Sequence, residues 1–344
     1  MLTGSATTVA ANPAAATVPP PNGCRYAGTS PTIDVRNNIN SASPYTAALS
    51  RGMTRWNDSP APGQFRSVTS GANVNAWQVY SSSTDWAWVT PNGTGTGCPT
   101  GYYFATNDLT FNTRTMDSLS ERQQWVVAVH ELGHVYGLAH TSSSCNRPSV
   151  MKTGTDKFNC TGTPPWNDDI TGVTNIYRPS LTEVTARPGS RPMTYFDGPV
   201  YTSVGELDVL SDIVVRGTVE KIRSGFDEEQ FQGIDIAAPS LPMTLNTIRV
   251  SRYVRGSGPA TVTVQQIDTV RMPTPDATPF EAGDEVLLFL KDTGFDFGGE
   301  RIHAITGMDQ GYLRLRGGRL LGTPAERRSP AAGLTMEHVT AQLR

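Results

Sequence analysis

The sequence predicts an α+β domain followed by a small, barrel-like all-β domain. Three observations carry this. The chain has 344 residues, enough for two domains of ordinary size. Its first half interleaves short strand-like runs with three helical patterns, whereas after Val200 strand-like runs follow one another without an intervening helix. Glycine (33) and proline (25) are frequent, which favours turns and short strands over a helical bundle.

The first helix opens at Ser43, a capping residue followed by Pro44 at the first helical position. Tyr45, Ala48, Leu49, Gly52 and Trp56 then recur at helical spacing. A capping box at Ser118-x-x-Glu121 opens a second helix, which carries Trp125, Val126, Val129 and Leu132 and stops at Gly137. A third starts after Asn167 and sets Ile170, Val173 and Ile176 on one face. Strands are expected at residues 32–35, 76–80, 86–89 and 109–111. In the second half they are expected at 213–222, 244–254, 261–267, 285–290, 301–305 and 312–315, with a terminal helix near 335–343. Residues 179–199 hold four prolines and read as a Pro-rich linker. The expected division is therefore a flexible leader over 1–22, a first domain over 23–178, the linker, and a β-rich accessory domain over 200–344, an OB-like barrel or a sandwich.

Composition narrows the function. A net charge of −3 lacks the basic footprint of a nucleic-acid binder. No run approaches the ~20 apolar residues of a transmembrane helix. Four cysteines (Cys24, Cys98, Cys145 and Cys160) in a loop-rich chain fit two disulfides and an oxidising, extracellular compartment. No basic residue precedes Arg25 and no apolar stretch follows the start, so a signal peptide is not evident. Arginine supplies 24 of the 28 basic residues, a bias that fits a GC-rich bacterial gene.

The decisive string runs from His130 to His140 and reads HELGHVYGLAH. His130 and His134 lie one helical turn apart on one face, so two imidazoles can reach one ion at ~2.0–2.1 Å. Gly137 can take the left-handed conformation that reverses the chain and returns His140 as a third ligand. A fourth position then stays open for water, which marks a catalytic rather than a structural zinc site. Glu131 sits about 100° round the helix, placed to take a proton from that water. Metal-assisted amide hydrolysis follows, with one catalytic zinc and a protein or peptide substrate.

This string resembles the metzincin signature H-E-x-x-H-x-x-G-x-x-H, and Thr141 after the third histidine is near the serine usual in matrixins. Ser149-Val150-Met151 looks like the Met-turn, and Asp168-Asp169-Ile170 resembles the paired aspartates that open the third matrixin helix. The resemblance covers roughly residues 24–178. It implies a metzincin-like zinc protease domain, a mixed twisted sheet with three helices, closest to the matrix metalloproteinase type. It implies that Met151 floors the metal site, and that Asp168 and Asp169 tie the third helix to the Met-turn or to the chain's N-terminal segment. A Cys145–Cys160 disulfide would staple the Met-turn loop, and Cys24–Cys98 would pin the N-terminal strand. The alternative for Cys24 is a zinc-binding switch thiolate, but Asn22-Gly23-Cys24-Arg25-Tyr26 does not match that motif. Lys152-Thr153-Gly154 departs from the Pro and Tyr that usually follow the methionine, so substrate preference is not carried over, and no tyrosine ligand is expected. Calcium is possible but not evident: Asn107-Asp108 and the loop at residues 93–97 could bind it, but ordinary turns of that composition are commoner.

A run at Asp227-Glu228-Glu229 reads as a solvated loop. The accessory domain is expected to bind substrate or a cell surface, to dock over the catalytic cleft, or to act as a spacer. Two functions remain in view: a secreted zinc endopeptidase, and a catalytically silent metzincin-fold binding or adhesion protein. The intact Glu131 favours the first.

Overall fold

The computed structural model describes residues 24–91, 106–142, 144–178, 193–232, 238–322 and 329–343. The first half is built on a sheet of β1 (Thr32–Asn37), β2 (Gln64–Val68), β3 (Val74–Val79), β4 (Ala87–Pro91), β5 (Asn107–Asn112) and β6 (Tyr195–Asp197), in the order β2-β1-β3-β5-β4-β6. The first four in that order pair in parallel, whereas β4 runs antiparallel to both β5 and β6. Sequence reading missed β2 because only Phe65 of its five residues is buried, so it shows no alternation.

Among the described residues, five helices accompany this sheet: α1 (Pro44–Asn57), α2 (Thr113–Met116), α3 (Glu121–Tyr136), α4 (Asp156–Asn159) and α5 (Asn167–Ile176). Ser43 caps α1 as expected, and the expected face is buried. The cap of α3 is Ser120 with Gln123, not Ser118 with Glu121. Both pairs satisfy the motif, and the true register is the one that puts Glu121 in the first turn, where its charge suits the helix dipole. α1 and α3 pack closely: the Trp56 indole donates to Val129 O (2.9 Å), and a Cβ on Gly52 would lie 3.1 Å from that of Ala128.

The second half contains β7 (Ile213–Asp227), β8 (Pro242–Arg255), β9 (Thr261–Ile267), β10 (Glu285–Phe297), β11 (Glu300–Ile305), β12 (Tyr312–Arg316) and β13 (Arg319–Gly322). β7-β8-β9-β11-β10 closes into a ring because β10 pairs with both β11 and β7; β9 and β11 are parallel and the other pairs antiparallel. This is a five-stranded barrel, filled by Val215, Val219, Ile248, Val264, Leu288 and their neighbours, with the β12–β13 hairpin continuing from β10. The second half is thus built around a barrel, not a sandwich, and is not made of strands alone. Short helices α6 (Val204–Leu210), α7 (Glu229–Gln232) and α8 (Met336–Gln342) accompany it.

The two halves share buried surface. One apolar cluster joins Val79, Trp88 and Phe196 of the first sheet to Met243, Leu245, Ile267 and Ile302 of the barrel. Glu228 belongs to this contact and is not solvated: it is 4% exposed and accepts from the Ser81 hydroxyl (2.7 Å), the Ser82 amide (2.6 Å) and the Ser82 hydroxyl. Of the expected linker, residues 179–192 lie outside the described residues, and Tyr195–Asp197 is a buried strand of the first sheet.

Candidate metal centre

Helix α3 supplies the first two histidines and ends at Gly137, whose φ of 104° is left-handed. A Cβ there would meet Cys24 O at 2.5 Å, so glycine is required on steric as well as conformational grounds. The reversal brings His140 back beside the helix. The Nε2 atoms of His130, His134 and His140 lie 3.0, 3.2 and 3.3 Å apart. Three nitrogens at ~2.0–2.1 Å from one tetrahedral ion stand ~3.3–3.4 Å apart, so the set fits a zinc ion with little adjustment.

The outward nitrogens are fixed by backbone carbonyls: His130 Nδ1 by Val150 O at 2.5 Å and His134 Nδ1 by Leu138 O at 2.8 Å. A carbonyl accepts only from a protonated Nδ1, which leaves each Nε2 lone pair directed inward. Burial, reinforced by neighbouring charge, holds His130 and His134 well below the ordinary histidine pKa, so both are neutral and ready to ligate. His140 Nδ1 lies 3.8 Å from the Asp276 carboxylate of the barrel half.

Glu131 is fully buried beside the triad, and one ligand atom each from His130, Glu131 and Asp197 fall within 4.8 Å of one another. Met151 is fully buried. It presses against α3 at Gly133, where a Cβ would overlap its sulfur. Thr141 N donates to Met151 O (3.1 Å), which joins the third histidine's segment to the Met-turn.

Asp169 holds this turn from the other side. Its carboxylate accepts from the Ser149 hydroxyl (2.5 Å), the Val150 amide (3.0 Å) and the Trp166 amide (2.9 Å). Burial raises its pKa to about 6 against the lowering effect of those donors. Asp168 sits outside, 3.2 Å from Arg147. The Cys145–Cys160 disulfide is present, spanning 15 residues around Met151. Cys24 is also disulfide-bonded, so it is not a switch thiolate, and Cys98 lies outside the described residues. Asn107 and Asp108 are strand residues of β5, not a loop; Asp108 accepts from the Trp77 indole (2.9 Å), and the loop at 93–97 lies outside the described residues.

Four neighbours of the site escaped sequence reasoning. Gly133 was visible as a lone glycine inside a helix, a pattern that flags close packing. Tyr195 stacks on His134 with ring centroids 4.7 Å apart and planes at 14°. Asp197 lies 3.9 Å from His130 Nε2, and Lys157 forms a fully buried ion pair with it at 2.5 Å. These last three contacts come from chain distant in sequence and leave no local signal.

Residues 49–178 match the family model of the matrixins. No curated protein matches the chain. The matched span includes the triad, Glu131, Met151 and both aspartates, so this chain carries a matrixin-like metzincin domain, of the zinc metallopeptidase type.

Proposed function

We propose that the protein is a secreted zinc endopeptidase, with residues 23–178 as its catalytic domain and residues 200–344 as a β-rich accessory domain. The observation that carries the reading is the triad itself: three inward Nε2 atoms within 3.3 Å of one another, with Glu131 buried alongside. His130, His134 and His140 would hold the ion and Glu131 would act as general base. Zinc in such a site supplies Lewis acidity and lowers the pKa of a water towards ~7. The carboxylate of Glu131 accepts the proton of the attacking water and returns it to the leaving amine nitrogen. Val150 and Leu138 hold two imidazoles in the ligating tautomer, and Met151 limits their movement from below. The Cys145–Cys160 disulfide fits an oxidising compartment and so supports secretion.

Metal content tests this reading. The purified chain should hold about one zinc and His134→Ala essentially none, because losing one of three protein ligands opens the set. A metal-free wild-type chain, or equal zinc in both proteins, contradicts it.

A further inference from the structure

Strand β6 lies at the edge of the first sheet, against the triad. Without it β4 is an edge strand beside the site, with amide and carbonyl groups that an extended peptide can pair with. β6 takes that edge, with Ala87 opposite Asp197, Trp88 opposite Phe196 and Val89 opposite Tyr195, and Trp86 N donates to Asp197 O (2.6 Å). Alternation along the strand sends Tyr195 and Asp197 to the metal site and Phe196 the other way, against Trp88 at 5.8 Å. The result is a sealed centre in which no triad residue exceeds 7% exposure.

We propose that residues 194–197 are an internal pseudosubstrate read by Lys157, and that the peptides this site accepts carry an aspartate or glutamate in the place of Asp197. The inference rests on the endopeptidase reading above. Lys157 is fully buried, with its ammonium on Asp197 (2.5 Å) and Lys152 O (3.1 Å) and over the rings of Trp86 (5.4 Å) and Phe158 (5.6 Å). Of these neighbours only Asp197 belongs to β6. When β6 leaves, the other walls stay, and the pocket beside His130 keeps a cation at its floor. A carboxylate is the side chain that such a floor selects.

The barrel half holds the strand in place. Thr194 N donates to Pro273 O (2.8 Å) and Phe196 N to the Asp276 carboxylate (3.0 Å), both on the segment between β9 and β10. The intact chain is therefore closed, and opening requires this segment to let go.

The test compares the zinc-loaded full chain with Asp197→Ala, Lys157→Met and the charge-reversed pair Lys157→Glu/Asp197→Lys. Calorimetric titration with a small hydroxamate reads access to the metal without reading turnover. A strand that leaves the site open a tenth of the time weakens binding about tenfold, so Asp197→Ala should bind at least that much more tightly than wild type. The reversed pair, which restores the ion pair, should bind as weakly as wild type. A peptide library digested by Asp197→Ala should show Asp or Glu enriched at one position beside the scissile bond. That enrichment should vanish when Lys157→Met is added and move to Lys or Arg when Lys157→Glu is added. Should Asp197→Ala fail to fold, Asp197→Asn keeps the side chain's shape and carries the same comparison. Equal hydroxamate binding by wild type and Asp197→Ala overturns the pseudosubstrate, and a peptide preference indifferent to Lys157 overturns its role. If no variant holds zinc, the endopeptidase reading fails and takes this inference with it.

Discussion

The carbonyl oxygen of Val150 lies 2.5 Å from His130 Nδ1, and the amide of the same residue is held by Asp169. Through the backbone amide and carbonyl of one residue, Val150 thus links α5 to the His130 imidazole. Removing Asp169 frees that residue. Asp169→Ala is expected to lower stability by about 3 kcal/mol, since three buried donors lose their acceptor. It should also weaken zinc binding ~10- to 100-fold, as loss of an outer-shell partner does. Urea unfolding and a competition titration for zinc measure both. Unchanged zinc affinity would show that His130 needs no support from this side.

The same carboxyl gives a pH dependence. Its folded pKa is about 6, raised from 3.8. Between those values the folded state holds a proton that the unfolded state has released, so this contribution to stability is complete below about pH 4 and is lost as pH rises through about 6. Asp169→Asn does not titrate. Wild type should therefore lose about 3 kcal/mol relative to that variant between about pH 4 and pH 7. Urea unfolding of both metal-free proteins across this range measures the difference, and parallel profiles would refute it.

Gly133 tests the floor of the site. An added methyl group overlaps the Met151 sulfur, and both positions are fully enclosed. Gly133→Ala is expected to destabilise by about 1–3 kcal/mol through overpacking, despite the better helix propensity of alanine. A melting temperature equal to or above that of wild type would mean that the methionine moves aside freely.

The disulfide is a separate restraint on the same loop. Replacing Cys145 and Cys160 together by serine should remove about 3 kcal/mol, the expected effect of closing a 15-residue loop in the unfolded chain. Non-reducing urea unfolding checks this, and an unchanged midpoint would show that the Met-turn is held by Asp169 and packing alone.

How much of this was legible in the sequence depends on the range of the cause. The placement of His130 and His134 on α3, the reversal at Gly137 and the first-turn proline of α1 have local causes, and each stands where the local pattern puts it. The α3 cap was misread by two residues because two overlapping frames satisfy one motif, and local chemistry alone does not choose between them. Tyr195–Asp197 resembles linker in the sequence because it is three residues long, too short for a period, with Pro192 and Pro199 flanking it. What makes it a strand is pairing with β4 and clamping by a loop some eighty residues later, at Asp276. Nothing near Glu228 in the sequence marks it as buried, because its serine partners lie about 146 residues upstream. The barrel's strands were visible, but its closure depends on β10 pairing with both β7 and β11, which no local pattern encodes.

The proposed function stands on proton transfer by Glu131 at a zinc site that hydrolyses peptide bonds. The most direct measurement is the rate at which an unfolded protein such as casein is cut by the zinc-loaded Asp197→Asn chain and by the same chain carrying Glu131→Gln. Chelator-sensitive cleavage is expected from the first, and a rate ~10²-fold or more lower from the second at equal zinc content. Equal rates, or no cleavage by either zinc-loaded protein, would contradict it.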